Sequence, residues 1–205
     1  MDTKAKLTEQ IIRKLSGGDD NGRWDRREIM LALCQQRDYL AKAAYWEAMG
    51  QGEKDIDETW LSVYENQPTV YDTATGMWYV QLPATPIVLP KGKGINTVSF
   101  MKALFDPMIP MSNTAPWLLK EAGTMTVDLL GSTGYFQQGD RLYLVGFNGQ
   151  ADILIKMIAN SSSLGEHDYF PCAPDVIKNI VDYVFASYSP AQQKPLDTSN
   201  NKTPN

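Results

Sequence analysis

His167 is the only histidine in the chain, and it stands between two carboxylates, Glu166 and Asp168. A Ser-His-Asp or Cys-His device would have to use it, with Cys172 or Cys34 as the nucleophile. The run around it is polar and reads as a solvated turn. A triad needs convergence in space that one histidine does not signal. Zinc chemistry is short of ligands, because two distant cysteines and one histidine do not fill a four-ligand site. Asp19, Asp20, Asn21 and Asp25 suggest a calcium loop, but that register puts Arg23 fifth, where an oxygen ligand belongs. The run from Gly131 to Gly134 is too short for a phosphate cradle, and Asp55 and Asp57 fall in a charged, solvated linker. No catalytic, cofactor-binding or metal-binding residue is expected, and the chain reads as non-enzymatic.

Aromatic residues are the remaining chemistry. Trp60, Tyr64, Tyr71, Trp78 and Tyr79 cluster where strand-like patterning begins. They would serve as a stacking platform for single strands or sugars, or as sheet core. Core is the simpler reading, since aromatics are enriched in strands generally.

The elements that must position these residues are legible from periodicity. Leu7, Ile11, Ile12 and Leu15 share one helical face, predicting a helix over 6–15 that Gly17 and Gly18 stop. Asp25 with Glu28 forms an acidic capping box that starts a second helix, predicted over 26–49 and ended by Gly50 and Gly52. Its apolar seam is read as Ile29, Met30, Leu33, Leu40, Ala43 and Ala44. Gln36 interrupts that seam, and Arg37 lies on the polar faces. Period-two alternation then predicts strands over 60–64, 69–72, 77–82, 95–100, 125–130, 134–137, 141–147 and 152–159. The run from Asp72 to Gly76 reads as a hairpin turn, and the Asn148-Gly149 pair as the strongest hairpin signal. Residues 105–116, holding Pro107, Pro110 and Pro116, read as an extended loop. Pro174 and Asp175 open a last helix, on which Val176, Ile180 and Val184 form one apolar row beside Ile177, Val181 and Phe185.

The fold class expected is α+β: an N-terminal helical hairpin and a C-terminal helix packed with a central antiparallel β-rich region. The divisions are 1–56 helical, 57–160 β-rich, 161–188 completing the same domain, and 189–205 a flexible tail or docking arm. The tail is almost free of apolar residues, and Pro190, Pro195 and Pro204 oppose a helix there.

The 205 residues, 43% hydrophobic, supply one genuine core or two small subdomains. A formal net charge of -5 argues against dedicated nucleic-acid binding, which draws its affinity from phosphate neutralisation. Two cysteines are too few for a disulfide-built secreted domain and read as reduced, partly buried thiols. No apolar run reaches the length of a membrane span, and the start MDTKAKLTEQ is not patterned as a signal peptide. Use without export and without a membrane partner is expected.

Three phrases carry a family resemblance. LTEQIIRKLSGGDDNGRWDRREIMLALCQQRDYLAK resembles the opening of neck proteins from crAss-like and related phages of gut Bacteroidetes: short helix, Gly-Gly-Asp turn, Asp-Arg-Arg-Glu helix start. VYDTATGMWYVQLPATPIVLPKGKGINTVS resembles their strand, turn, strand and Leu-Pro edge. IKMIANSSSLGEHDYFPCAPDVIKNIVDYVF resembles their closing strand, Ser-Ser loop, proline helix start and last helix. Together the phrases cover about half the chain. None is a catalytic fingerprint, so the specificity lies in the ordered set.

The resemblance implies a virion structural protein, made in the host bacterial cytoplasm and placed at the neck. There it would form an oligomeric adaptor ring, a dodecamer in the adaptor rings of short-tailed phages. Such a ring joins the portal protein to adjacent neck or tail rings and passes genomic DNA transiently and non-specifically. An acidic lining would repel the phosphate backbone and help DNA slide. Candidate subunit-interface residues are Arg26, Arg27, Gln36 and Arg37. Candidate docking residues for portal or ring are Pro190, Pro195 and Leu196, with Leu196 the apolar anchor. The alternatives are another virion ring (tail-completion, stopper or minor capsid protein), or a soluble carbohydrate-binding module using Trp60, Trp78 or Trp117. An enzyme dependent on His167 comes last.

Overall fold

The computed structural model describes residues 2–17, 24–52, 56–112 and 133–189. Their architecture is α+β, with three α-helices and an eight-stranded mixed sheet. The chain divides into two compact units, 1–40 with 164–205, and 41–163. The boundary falls inside the second helix.

In the first unit, α1 (Lys4–Ser16) begins at Thr3, whose hydroxyl accepts from the Lys6 amide, and ends at Gly17 in the left-handed region with φ 58°. The residues just before α1 are tied to the segment that leads into the last helix. Thr3 bridges Tyr169, the Phe170 amide donates to Asp2 O at 3.0 Å, and Ala5 N to Glu166 O at 3.0 Å. α2 (Arg26–Gly50) starts at Asp25, whose carboxylate accepts from the Arg27 amide. α3 (Pro174–Tyr188) packs on α1, with Lys14 reaching Asp182 at 3.0 Å. Ile180, Val181 and Val184 are buried as their spacing predicts.

The seam of α2 differs from the sequence reading. Its buried positions are Ile29, Leu33, Cys34, Arg37, Ala41, Tyr45 and Ala48, whereas Ala43 is exposed and Gln36 half-buried. Arg37, read as surface, occupies the middle of the buried stripe at 0% exposure. Steps of four residues keep it in line with Leu33 and Ala41, and its charge is met by partners described below.

In the second unit, the strands are β1 (Ser62–Asp72), β2 (Met77–Gln81), β3 (Ile95–Phe100), β4 (Ala103–Pro107), β5 (Ile109–Pro110), β6 (Gly134–Gln138), β7 (Arg141–Val145) and β8 (Asp152–Met157). Their order is β4-β3-β8-β1-β2-β7-β6-β5. The two outermost strands are consecutive in the chain, separated by Met108 alone. Met108 N donates to Val98 O at 2.8 Å on the β3 side, and Ile109 N to Thr133 O at 3.0 Å on the β6 side. The two ends of the sheet are therefore joined through one continuous segment of chain, 103–110, hydrogen-bonded to β3 at its start and to β6 at its end. Register carries one face across the sheet. Tyr64 and Val98 flank Ile155, Val80 faces Thr69 and Leu142, and Leu144 faces Trp78 and Tyr135. Val80, Val98, Leu142, Leu144, Ile153, Ile155 and Met157 make that inner face nearly inaccessible to water.

Several expected β elements are corrected. Residues 60–64 and 69–72 belong to one region: Trp60 ends a short 3-10 turn, and the strand then runs unbroken to Asp72. Glu65 and Asn66 form a bulge, with Asn66 at φ 53°, and the register shifts between Tyr64 and Gln67. Residues 103–107 and 109–110 are strand rather than loop, paired with β3 and β6, and the amides of Met108 and Ile109 donate to Val98 O and Thr133 O between the prolines. Asn148-Gly149 does not join a hairpin, since the β1–β2 pair lies between β7 and β8. The hairpin of β7 is instead with β6, turned at Gly139 with φ 62°. The Asp72–Gly76 turn is as read, with Gly76 at φ 69°. The strand expected over 125–130 lies outside the described residues.

Candidate functional site

Around His167 the carboxylates are occupied with structure. Asp168 accepts from the Gly165 amide at 2.7 Å, closing the loop on itself. Glu166 accepts from Arg26 Nη1 at 3.0 Å. His167 is exposed, while Cys172 is 1% exposed. Burial pushes the Cys172 thiol up to about 11, with Arg37 opposing and Asp175 reinforcing the shift. The Cys34 thiol is raised for the same first reason, against the opposing charges of Lys4 and Arg37. Neither cysteine is in a disulfide, and neither is poised as a thiolate. Among the described residues no group of three or more His, Cys, Asp or Glu side chains gathers as a metal site. Asp19, Asp20, Asn21 and Asp55 lie outside them.

These thiols have a measurable consequence. Cys172 keeps its proton in the folded state until about 11, against an ordinary 9.0. Its contribution to stability is fully present below pH 9.0 and is lost as pH rises through about 11. Tyr135, on β6, is pushed by burial to about 12 and adds to the loss only above its ordinary 10.0. The unfolding midpoint in urea should therefore fall between pH 9 and 10 for the natural chain, and fall less for Cys172→Ala. An equal slope in both would contradict the buried thiol.

The candidate interface residues are not brought together. Arg26 spans Glu9 at 3.2 Å and Glu166 at 3.0 Å, joining α2 to α1 and to the loop before α3. Those exposed pairs contribute little individually. Arg27 is exposed. Gln36 lines a groove of about 530 Å³ between α2 and α3, beside Gln35, Tyr39, Tyr183 and Tyr188. Arg37 corrects the expectation. Its Nε donates to Pro171 O at 3.0 Å and its Nη1 to Asp38 at 3.1 Å, so it serves its own chain rather than a neighbour. Pro190, Pro195 and Leu196 lie outside the described residues.

The aromatic platform resolves differently for each tryptophan. Trp60 is 5% exposed and belongs to the core. Trp117 lies outside the described residues. Trp78 is half-buried on β2, 5.4 Å from Tyr71 and 6.3 Å from Phe147, itself 5.1 Å from Phe100. The Trp78 indole donates to Asn148 at 3.3 Å, and a cleft of about 480 Å³ adjoins Phe100, Lys102, Gln150 and Asp152.

Large apolar side chains at the surface escaped the sequence reading. Phe105 is 102% exposed, with Leu104 beside it on β4 and Ile109 on β5. On α2, Leu31, Tyr39 and Trp46 are each more than half exposed. No helix among the described residues is long and apolar enough to cross a membrane. No protein-family model matches the chain, and no curated protein matches it.

Proposed function

We propose that this chain is a structural subunit of an oligomeric ring in the neck of a tailed phage, linking portal to tail around the DNA passage. The observation that carries the reading is the set of large apolar side chains left in water: Phe105, Leu104 and Ile109 on β4 and β5, and Leu31, Tyr39 and Trp46 on α2. Aromatic anchors of this kind are what protein interfaces bury. Two different surfaces on one chain suit the head-to-tail contact that a ring closes by rotation. The resemblance of three ordered phrases to phage neck proteins directs the reading to that assembly. A net charge of -5 suits a subunit past which DNA must slide.

Phe105→Ser and Trp46→Ser together change exposed positions, so the unfolding midpoint should hardly move. Supplied in place of the natural chain during infection, the double variant should be depleted from particles by more than about tenfold, the loss expected from two interface anchors. Incorporation at the natural level, measured by quantitative mass spectrometry, would remove this support for ring assembly.

A carbohydrate-binding module is the second reading, favoured by the cluster of half-buried Trp78 with exposed Tyr71 and with Phe147. Glycan binding by the natural chain, lost in Trp78→Ala, would replace the ring with that module.

A further inference from the structure

The first unit holds a groove whose described wall carries no charge. α2 contributes Gln35, Gln36 and Tyr39, and the last turn and a half of α3 contributes Tyr183 and Tyr188, enclosing about 530 Å³. Tyr39 and Tyr183 are 65% and 58% exposed, so their rings stand in water rather than in a core. Aromatic-lined grooves with amide donors are the form that recognises proline-rich extended chain, because such a chain enters already stiff and loses little entropy. This protein carries such a segment directly beyond α3, Pro190-Ala-Gln-Gln-Lys-Pro-Leu196. Two prolines offer ring faces to tyrosines, two glutamines match the groove's own amides, and Leu196 is the one large apolar side chain.

Delivery favours a second copy over the same copy. Tyr188 forms the end wall of the groove: its hydroxyl donates to Glu28 O at 3.5 Å and its ring meets Trp24 edge-on at 6.3 Å. Ser189 leaves the helix extended, at φ -67° and ψ 133°, as the residue before a proline must. The groove lies behind that exit, toward Tyr183. Filling it from the same chain requires reversing over Tyr188 within a few residues. A segment from another copy enters without a reversal, and its seven residues span about 20 Å in the extended form.

We propose that the α2–α3 groove receives residues 190–196 of a second copy of this chain, forming a chain-to-chain strap. The strap rests on the reading of the protein as a ring subunit and supplies one of its contacts.

The test replaces Leu196 with p-benzoylphenylalanine in the full chain and mixes isotopically light and heavy protein at rising concentration before illumination. The expected products join residue 196 of one isotope to residues 32–39 or 183–188 of the other, in a yield that rises with concentration. Tyr39→Ala and Tyr183→Ala, at exposed positions, should each cut that yield about fivefold or more while leaving the thermal midpoint in place. Products joining only like isotopes would mean the groove is filled from its own chain and would overturn the strap. So would an absence of groove products at every concentration. A ring seen by microscopy without these products overturns the strap alone. Products seen in a simple dimer keep the strap and remove the ring.

Discussion

Arg37→Ala is expected to cost about 3–5 kcal/mol, the scale seen when one partner of a buried charged contact is removed. Arg37 is fully buried in the apolar stripe of α2, where a cation stands only if its hydrogen bonds repay the lost water. Its Nε serves Pro171 O at 3.0 Å and its Nη1 serves Asp38 at 3.1 Å, so one side chain connects α2 to the segment that opens α3. Truncation leaves that carbonyl without this donor and opens a cavity the size of a long side chain. Arg37→Met restores volume without the donor and should recover more than half of the loss, since apolar replacements of buried ionic groups are often near neutral. Urea unfolding of the three proteins decides it. A loss below about 1 kcal/mol in Arg37→Ala, within the range of ordinary substitutions, would put the guanidinium at the surface and return it to the candidate interface.

Gly94→Ala should cost about 3 kcal/mol, at the upper end of overpacking effects. The backbone at Gly94 is open to any residue, so the obstacle is contact alone. An added Cβ would overlap the carbonyl oxygen of Ile87 and come within 3.3 Å of the Ile87 carbonyl carbon and of Pro86 Cβ. A carbonyl oxygen has no rotamer to retreat into. Ile87 N donates to Ile158 O at 2.8 Å and Ile158 N to Gly94 O at 2.8 Å, so separating Ile87 from Gly94 strains both bonds. Gly50→Ala is the control: it meets nothing within 4 Å at the end of α2, and the change there should be neutral or slightly stabilising. Equal midpoints for the natural chain and Gly94→Ala would mean that residues 84–94 are not held against the end of β8 as described.

Both effects concern features that the sequence leaves unmarked. Helix bounds were legible where Gly17, Asp25 and Pro174 stand, because they are local signals that decide helix ends by themselves, whereas the start of α1 at Thr3 was placed two residues late. The inner faces of β2, β3, β7 and β8 were legible because apolar residues alternate there. Strand pairing was not, since it is settled by which hairpin inserts where. Asn148-Gly149 carries strong hairpin chemistry, yet β7 and β8 are separated by the β1–β2 pair. β4 and β5 were hidden by Pro107 and Pro110, which local reading assigns to loop. Arg37 looked exposed because burial of a guanidinium depends on Pro171, more than a hundred residues away. Of the candidate interface residues, only Gln36 lies where the groove is, and nothing in its spacing announced the tyrosines opposite it.

The ring reading is tested most directly by cryo-electron microscopy of phage particles captured with an antibody against this chain. The expected result is density that fits both compact units, repeated with cyclic symmetry between the portal vertex and the tail, with Phe105 or Trp46 at a subunit contact. The chain placed in the capsid shell or a fibre outside any cyclic ring, or captured with no particle at all, would contradict it.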